Sequence, residues 1–173
     1  MNVILIGYRC TGKSSVGERL SQVLHLPFYD TDTLIEKLTG KTIREMVDER
    51  GWESFRKKEK EIIKSLTTTD ESIIATGGGA VMDQENVNIL KKNGVLIWLT
   101  ADIDTIIQRM QDDANSIKQR PPLFHDDFLQ ETKSMLEERI PVYSRLADFS
   151  IDTTGKGIDE IALQICQFLG KCG

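Results

Sequence analysis

One short segment near the start constrains this chain more than any other. Val3-Ile4-Leu5-Ile6 is a continuous apolar run, and Gly7-Tyr8-Arg9-Cys10-Thr11-Gly12-Lys13-Ser14 follows it directly. Val16, Leu20, Val23 and Leu24 then recur on one helical stripe. An apolar run without alternation suits a strand buried on both faces of a parallel sheet. The eight residues after it match G-x-x-x-x-G-K-[ST], between a strand and a helix as that motif requires. In such a loop, backbone N–H groups and the helix N-terminus point at phosphate oxygens. Gly7 and Gly12 allow close backbone approach, Lys13 reaches the β- and γ-phosphates, and the Ser14 hydroxyl binds Mg2+. Cys10, Thr11 and Ser15 complete the expected contacts. The segment predicts a nucleotide site, with ATP as the nucleotide.

The rest of the chain repeats the same alternation. Further β-rich runs lie at Leu26 to Tyr29, Ser72 to Ala75, Val95 to Leu99 and Phe149 to Ile151. Between them, Trp52, Phe55, Glu59, Ile62, Ile63 and Leu66 predict a long helix after Gly51. Ile103, Ile106, Ile107 and Met110 predict another, with Asp102 as its N-cap. Ile158, Ile161, Ala162, Ile165, Phe168 and Leu169 predict the last. Thr42-x-x-Glu45 has the form of a capping box for a short helix before Gly51. This alternation predicts a three-layer α/β/α sandwich with right-handed crossovers. With 173 residues, the chain is long enough for one such domain.

Composition narrows the partners. Lys plus Arg is 22 against 27 for Asp plus Glu, a formal net charge of -5. That argues against a nucleic-acid binder driven by bulk positive charge, so an anionic ligand needs a local basic pocket. The three cysteines, Cys10, Cys166 and Cys172, form no CxxC pattern, which fits a reducing compartment. The apolar run at the start is too short for a signal peptide, and no stretch reaches the ~20 apolar residues of a membrane helix. The expectation is a cytoplasmic protein without membrane contact. No sustained heptad points to an oligomer, so a monomer is expected.

Five further constellations carry chemistry, and the first three have a plainer reading beside them. Asp30-Thr31-Asp32 follows the second strand, where α/β sheets bind ligands. One carboxylate can support Mg2+ and the other approach a hydroxyl, or an Asp can simply cap a helix. Phe55-Arg56-Lys57-Lys58-Glu59 reads as a solvated basic face, except that Arg56 borders the buried side. Gly77-Gly78-Gly79 ends a buried strand, as a permissive turn or as bare backbone for a ligand. Arg120-Pro121-Pro122 and Arg139-Ile140-Pro141-Val142-Tyr143 supply planar guanidinium groups of the kind that grip carboxylate and phosphate. Pro141 is expected to kink or end its helix.

In this order and spacing, over essentially the whole chain, these pieces resemble the shikimate kinase family. The resemblance implies a nucleoside-monophosphate-kinase-like P-loop fold with a five-stranded parallel sheet in the order 2-3-1-4-5. It implies a single domain over residues 1–173, with a substrate-binding segment at about 31–60 and a lid at about 111–127. It implies ATP-dependent, Mg2+-assisted phosphorylation of the 3-hydroxyl of shikimate, in aromatic amino-acid biosynthesis. By position, Asp32 resembles the carboxylate that holds the reacting hydroxyl and is the candidate base, and Asp30 resembles an outer-sphere Mg2+ ligand alongside Ser14. Arg56 and Arg139 resemble the pair that clamps the substrate carboxylate, Glu59 supports that site, and Gly77, Gly78 and Gly79 line it. Arg120 resembles a lid arginine that reaches the transferring phosphate. Arg109 matches an adenine-packing arginine, and Lys156 lies in the loop from Thr153 to Gly157 that contacts adenine. Cys10 departs from the glycine common at its position. Another acidic-metabolite kinase of the same fold, such as a gluconate kinase, or a non-catalytic binding module, are the alternatives.

The segment Gln111 to Asp127 is polar, aperiodic and acidic, with Arg120 beside two stiffening prolines. Hydrogen exchange across residues 111 to 127 is expected to slow when ATP and shikimate bind together. Arg120→Ala should lower kcat far more than it weakens ADP binding. Equal protection in the free and ternary states would show that the segment is no lid.

Overall fold

The computed structural model describes residues 1–66, 68, 70–113 and 128–171. Arg120 and most of the predicted lid lie outside them, as does Cys172. Among the described residues, five strands form one sheet: β1 Asn2–Ile6, β2 Phe28–Asp30, β3 Ile73–Ala75, β4 Gly94–Thr100 and β5 Phe149–Asp152. All pairs are parallel, in the order β2-β3-β1-β4-β5. The helices are α1 Lys13–Leu24, α2 Thr31–Thr39, α3 Ile43–Leu66, α4 Gln84–Asn93, α5 Ile103–Asp112, α6 Phe128–Leu146 and α7 Ile158–Phe168.

The period of two along β1 divides the core. Val3 and Leu5 face one layer, with Val16 and Leu20 of α1 and Ile161 and Ile165 of α7. Ile4 and Ile6 face the other, with Ile63 of α3, Leu90 of α4, Ile106 of α5 and Tyr143 of α6. Both faces of β1 are therefore covered, which is why Val3 to Ile6 is a continuous apolar run. Asn2 is the polar residue at its start. Its side-chain oxygen accepts from the Ser72 backbone N–H and hydroxyl, both at 3.0 Å. A third, smaller cluster of Ile35, Ile43, Met46 and Phe55 packs α2 against α3.

Local signals set most helix ends. Asp102 caps α5 by accepting from the Thr105 N–H at 2.6 Å. Thr42 and Glu45 form the reciprocal capping box: the Thr42 N–H donates to the Glu45 carboxylate at 2.8 Å, and the Glu45 N–H to the Thr42 hydroxyl at 3.2 Å. Gly51, at φ 75° and ψ 168°, breaks α3 into two stretches, a conformation that favours glycine.

Several expectations need correction. Of the two outcomes expected at Pro141, a kink or an end, the end is not found, since α6 continues to Leu146. Val23 is exposed, while Leu24, one turn beyond Leu20, continues the α1 stripe onto the core. Phe168 is also exposed and stacks on Phe149 with ring centroids 4.3 Å apart. Two helices, α2 and α4, have no counterpart in the periodicity analysis. Only Thr31 and Ile35 of α2 are buried, and only Asn86, Val87 and Leu90 of α4, so neither carries a wide apolar stripe.

Gly17 of α1 shows how closely the layers pack. A Cβ there would lie 2.2 Å from the Phe28 ring of β2. Alanine favours a helix over glycine by ~1 kcal/mol, whereas overpacking costs about 1–3 kcal/mol. Gly17→Ala is therefore expected to lower the melting temperature in a thermal unfolding scan. A rise would mean that Phe28 swings clear at little cost.

Candidate active site

The carboxyl ends of the parallel strands all open on one edge of the sheet, and each delivers a functional segment there. The phosphate loop leaves β1. Gly7, at φ 141°, is a glycine for a reason the motif alone does not reveal: a Cβ would sit 2.3 Å from the Leu99 carbonyl oxygen of β4. Its closeness is to the neighbouring strand. Cys10 and Gly12 both have positive φ, 59° and 92°. The Thr11 hydroxyl donates to the Tyr8 carbonyl at 2.8 Å, and Lys13 Nζ donates to the same carbonyl at 2.6 Å. The lysine side chain thus folds back across the loop it follows.

Asp30, at the end of β2, caps a helix and also reaches the phosphate loop. Its Oδ1 accepts from the Thr33 N–H at 3.1 Å and caps α2, while its Oδ2 accepts from the Ser14 hydroxyl at 2.6 Å. Lys13, Ser14, Ser15, Cys10, Gly12, Asp30, Asp32 and Thr76 line a cleft with about 950 Å³ of open space. Ser14 and Asp30 together present hard oxygen atoms beside the phosphate loop. Such a pair fits Mg2+, which takes few protein ligands and completes its shell with phosphate and water.

A second cleft adjoins the first, with about 560 Å³ of space. Arg56, Glu59, Gly77, Gly78, Gly79 and Arg139 all line it, and Asp32 borders both clefts. Glu59 is fully buried, and its Oε2 accepts from Arg56 Nη1 at 2.6 Å. The Arg56 guanidinium also lies over the rings of Trp52 and Phe55, at 5.7 and 5.2 Å. Arg139 lies over the Tyr8 ring at 5.7 Å. The glycines are where side chains would collide with these groups. A Cβ at Gly77 would lie 2.6 Å from Glu59 Oε1 and 2.8 Å from Asp32 Oδ1, and one at Gly79 would lie 2.2 Å from Arg56 Nη2.

A third cleft, on the other side of the phosphate loop, is lined by Cys10, Thr11, Gly12, Ser15, Arg109, Thr153 and Lys156 among others. Arg109 ties the two loops there. Its Nη1 donates to the Cys10 carbonyl at 3.2 Å and to the Thr153 hydroxyl at 3.0 Å, and its Nη2 donates to the Thr153 carbonyl at 3.0 Å. At the base of the same loop, the Thr154 N–H bonds Asp152, which holds that carboxyl below its usual range.

Comparisons with known proteins identify the family. The family model described as shikimate kinase matches residues 9–170. The chain belongs to the shikimate kinase family. A relative from Syntrophus aciditrophicus named shikimate kinase is 44% identical, over 92% of this chain and 88% of its own length. One from Pelotomaculum thermopropionicum, with the same name, is 40% identical over 97% and 95%. The solved structure of a shikimate kinase from Acinetobacter baumannii in complex with shikimate superposes with a TM-score of 0.90 at 32% identity. It covers 97% of this chain and 92% of that one.

The fold thus distributes the described residues singled out by the sequence, Gly7 apart, over three clefts around the phosphate loop, and adds others. Tyr8, Arg9, Trp52, Phe55, Glu131 and Met135 also line the second cleft. Glu131 and Met135 were legible in principle, because they precede Arg139 at intervals of four on α6. Arg9 and Tyr8 sit at variable positions of the phosphate-loop motif, which says nothing about where they point.

Gly79→Ala is expected to push the Arg56 guanidinium aside with little loss of melting temperature, because the obstacle is the far end of a flexible side chain. A crystal structure and a thermal scan of the variant check both parts.

Proposed function

We propose that this protein transfers the γ-phosphoryl group of ATP to the 3-hydroxyl of shikimate, giving shikimate 3-phosphate and ADP. The observation that carries this reading is the meeting of two clefts at Asp32. One has the phosphate loop, and the other is lined by two arginines. A small hydroxylated carboxylate held by those arginines presents a hydroxyl to the donor phosphate across Asp32. The names of the relatives and the bound shikimate of the Acinetobacter baumannii structure support the same acceptor.

The residues divide the work as follows. Arg56 and Arg139 clamp the acceptor carboxylate, and Glu59 holds the Arg56 guanidinium in place. Gly77, Gly78 and Gly79 form a wall thin enough for the ring to approach. Asp32 accepts a hydrogen bond from the reacting hydroxyl. As the oxygen–phosphorus bond forms and the bond to the β-phosphate bridging oxygen breaks, the proton passes to that carboxylate and ADP departs. Lys13 and the loop N–H groups neutralise phosphate charge, which is most of what phosphoryl transfer requires. Ser14 and Asp30 are the residues that would hold Mg2+, whose charge offsets that of the phosphates. Arg109 and Lys156 border the adenine, and Arg120 supplies a further cation from the lid segment. We also take the protein to be a single-domain, cytoplasmic monomer without nucleic-acid partners. No helix among the described residues is long and apolar enough to cross a membrane.

A coupled ADP-release assay tests the reading. Shikimate is expected to support turnover and gluconate is not. Turnover with gluconate alone would assign a different acid, and none with either would leave a binding module. Arg56→Ala and Arg139→Ala should each raise the KM for shikimate by at least tenfold, since a charge-assisted hydrogen bond contributes about 1.5–3 kcal/mol. Loss of ATP binding with shikimate binding intact would show the pair to be misassigned.

A further inference from the structure

The motif that supplies Arg139 also supplies Tyr143, which the reaction does not use directly. Tyr143 is one helical turn after Arg139 on α6, so the two side chains share a face. Its ring is 1% exposed and packs against Trp98 of β4, with centroids 6.0 Å apart. Its hydroxyl leaves this apolar packing and donates to the Gly78 carbonyl at 2.5 Å. Gly78 belongs to the wall of the acceptor cleft, and a Cβ there would lie 3.4 Å from Arg139 Nη1. The Arg139 guanidinium also approaches the phenol.

From this geometry we propose that Tyr143 is a positioning residue for the acceptor: through its hydroxyl it locks the glycine wall to α6 and so sets where Arg139 meets the substrate carboxylate. The inference rests on the shikimate reading above. A phenylalanine would fill the same ring volume, so packing alone does not call for the hydroxyl. The phenol is protonated throughout the neutral range in any case, and burial, which pushes it up to about 12, extends its role as donor into alkaline solution. Without that proton, the Gly78 carbonyl loses its bond in a buried setting and is driven to move toward water or another donor. Either movement changes the distance between the wall and Arg139.

Tyr143→Phe, assayed by ADP release in the full chain, tests this. The KM for shikimate is expected to rise about tenfold, as for the loss of roughly 1.4 kcal/mol. The KM for ATP should stay within about twofold. In an Arg139→Ala background the same substitution should change the KM for shikimate much less, because the two residues act together. Trp98→Phe is the packing control. It should lower the melting temperature and leave the KM for shikimate unchanged. A wild-type KM in Tyr143→Phe overturns the inference. So do a parallel rise in both KM values, full additivity with Arg139→Ala, or an equal rise in Trp98→Phe. If the unsubstituted protein does not turn over shikimate, the proposed function fails first and this inference falls with it. An unchanged KM in an active protein defeats the inference alone.

Discussion

Everything at the active edge depends on the burial of β1 between β3 and β4. Its residues register with Ile73 to Ala75 on one side and with Gly94 to Trp98 on the other. Parallel pairing makes all three strands end at the same edge, and Gly7 then packs against the Leu99 carbonyl with no room for a side chain. That close approach anchors the start of the phosphate loop to the most rigid part of the molecule. The loop itself contains two residues in left-handed conformations, Cys10 and Gly12. Such strain persists only where the surroundings hold it. Here the Thr11 hydroxyl bond to Tyr8 and the Arg109 bond to the Cys10 carbonyl hold the loop from inside and outside.

The acceptor cleft depends on charge placement rather than on apolar burial. Glu59 is fully buried beside a partly exposed Arg56, and a buried ion pair of this type is weak evidence of net stability. Its value lies in direction. Glu59 takes one nitrogen and the rings of Trp52 and Phe55 lie close to the guanidinium, so Arg56 is held at the cleft that it lines. The three glycines serve the same end from the opposite side. Gly77 and Gly79 lie where a single methyl group would strike a carboxylate or the guanidinium. The costs of glycine in backbone entropy are thus tied to particular side chains across the cleft.

Much of this was legible in the order of residues. The apolar run of β1, the glycine-lysine-hydroxyl spacing after it and the Thr42–Glu45 capping box are local patterns, and local geometry produces them wherever they occur. The inner strands β1, β3 and β4 were legible too, because cover on both faces leaves a continuous apolar run, whereas the edge strands β2 and β5 are only partly buried. Helices α2 and α4 were not, since each buries too few residues to leave a periodic stripe. Pro141 left open whether its helix would kink or end. A lost backbone donor argues for a helix end, yet Leu136, Tyr143 and Leu146 on both sides of it are buried in one core cluster. Packing of that face carries the helix through the defect.

The sequence by itself determined that there is a phosphate-binding turn between a buried strand and a helix, and which residue types stand ready to meet an acid. Those features follow from neighbours in the chain. Only the tertiary structure decided that Asp32 stands where two clefts join, that Arg56 and Arg139 face one cavity from helices far apart in sequence, and that Tyr143 reaches the Gly78 carbonyl 65 positions earlier. Each of those relations joins elements that parallel crossovers bring to one edge of the sheet. No local propensity encodes such a distance, because it is set by how whole layers pack.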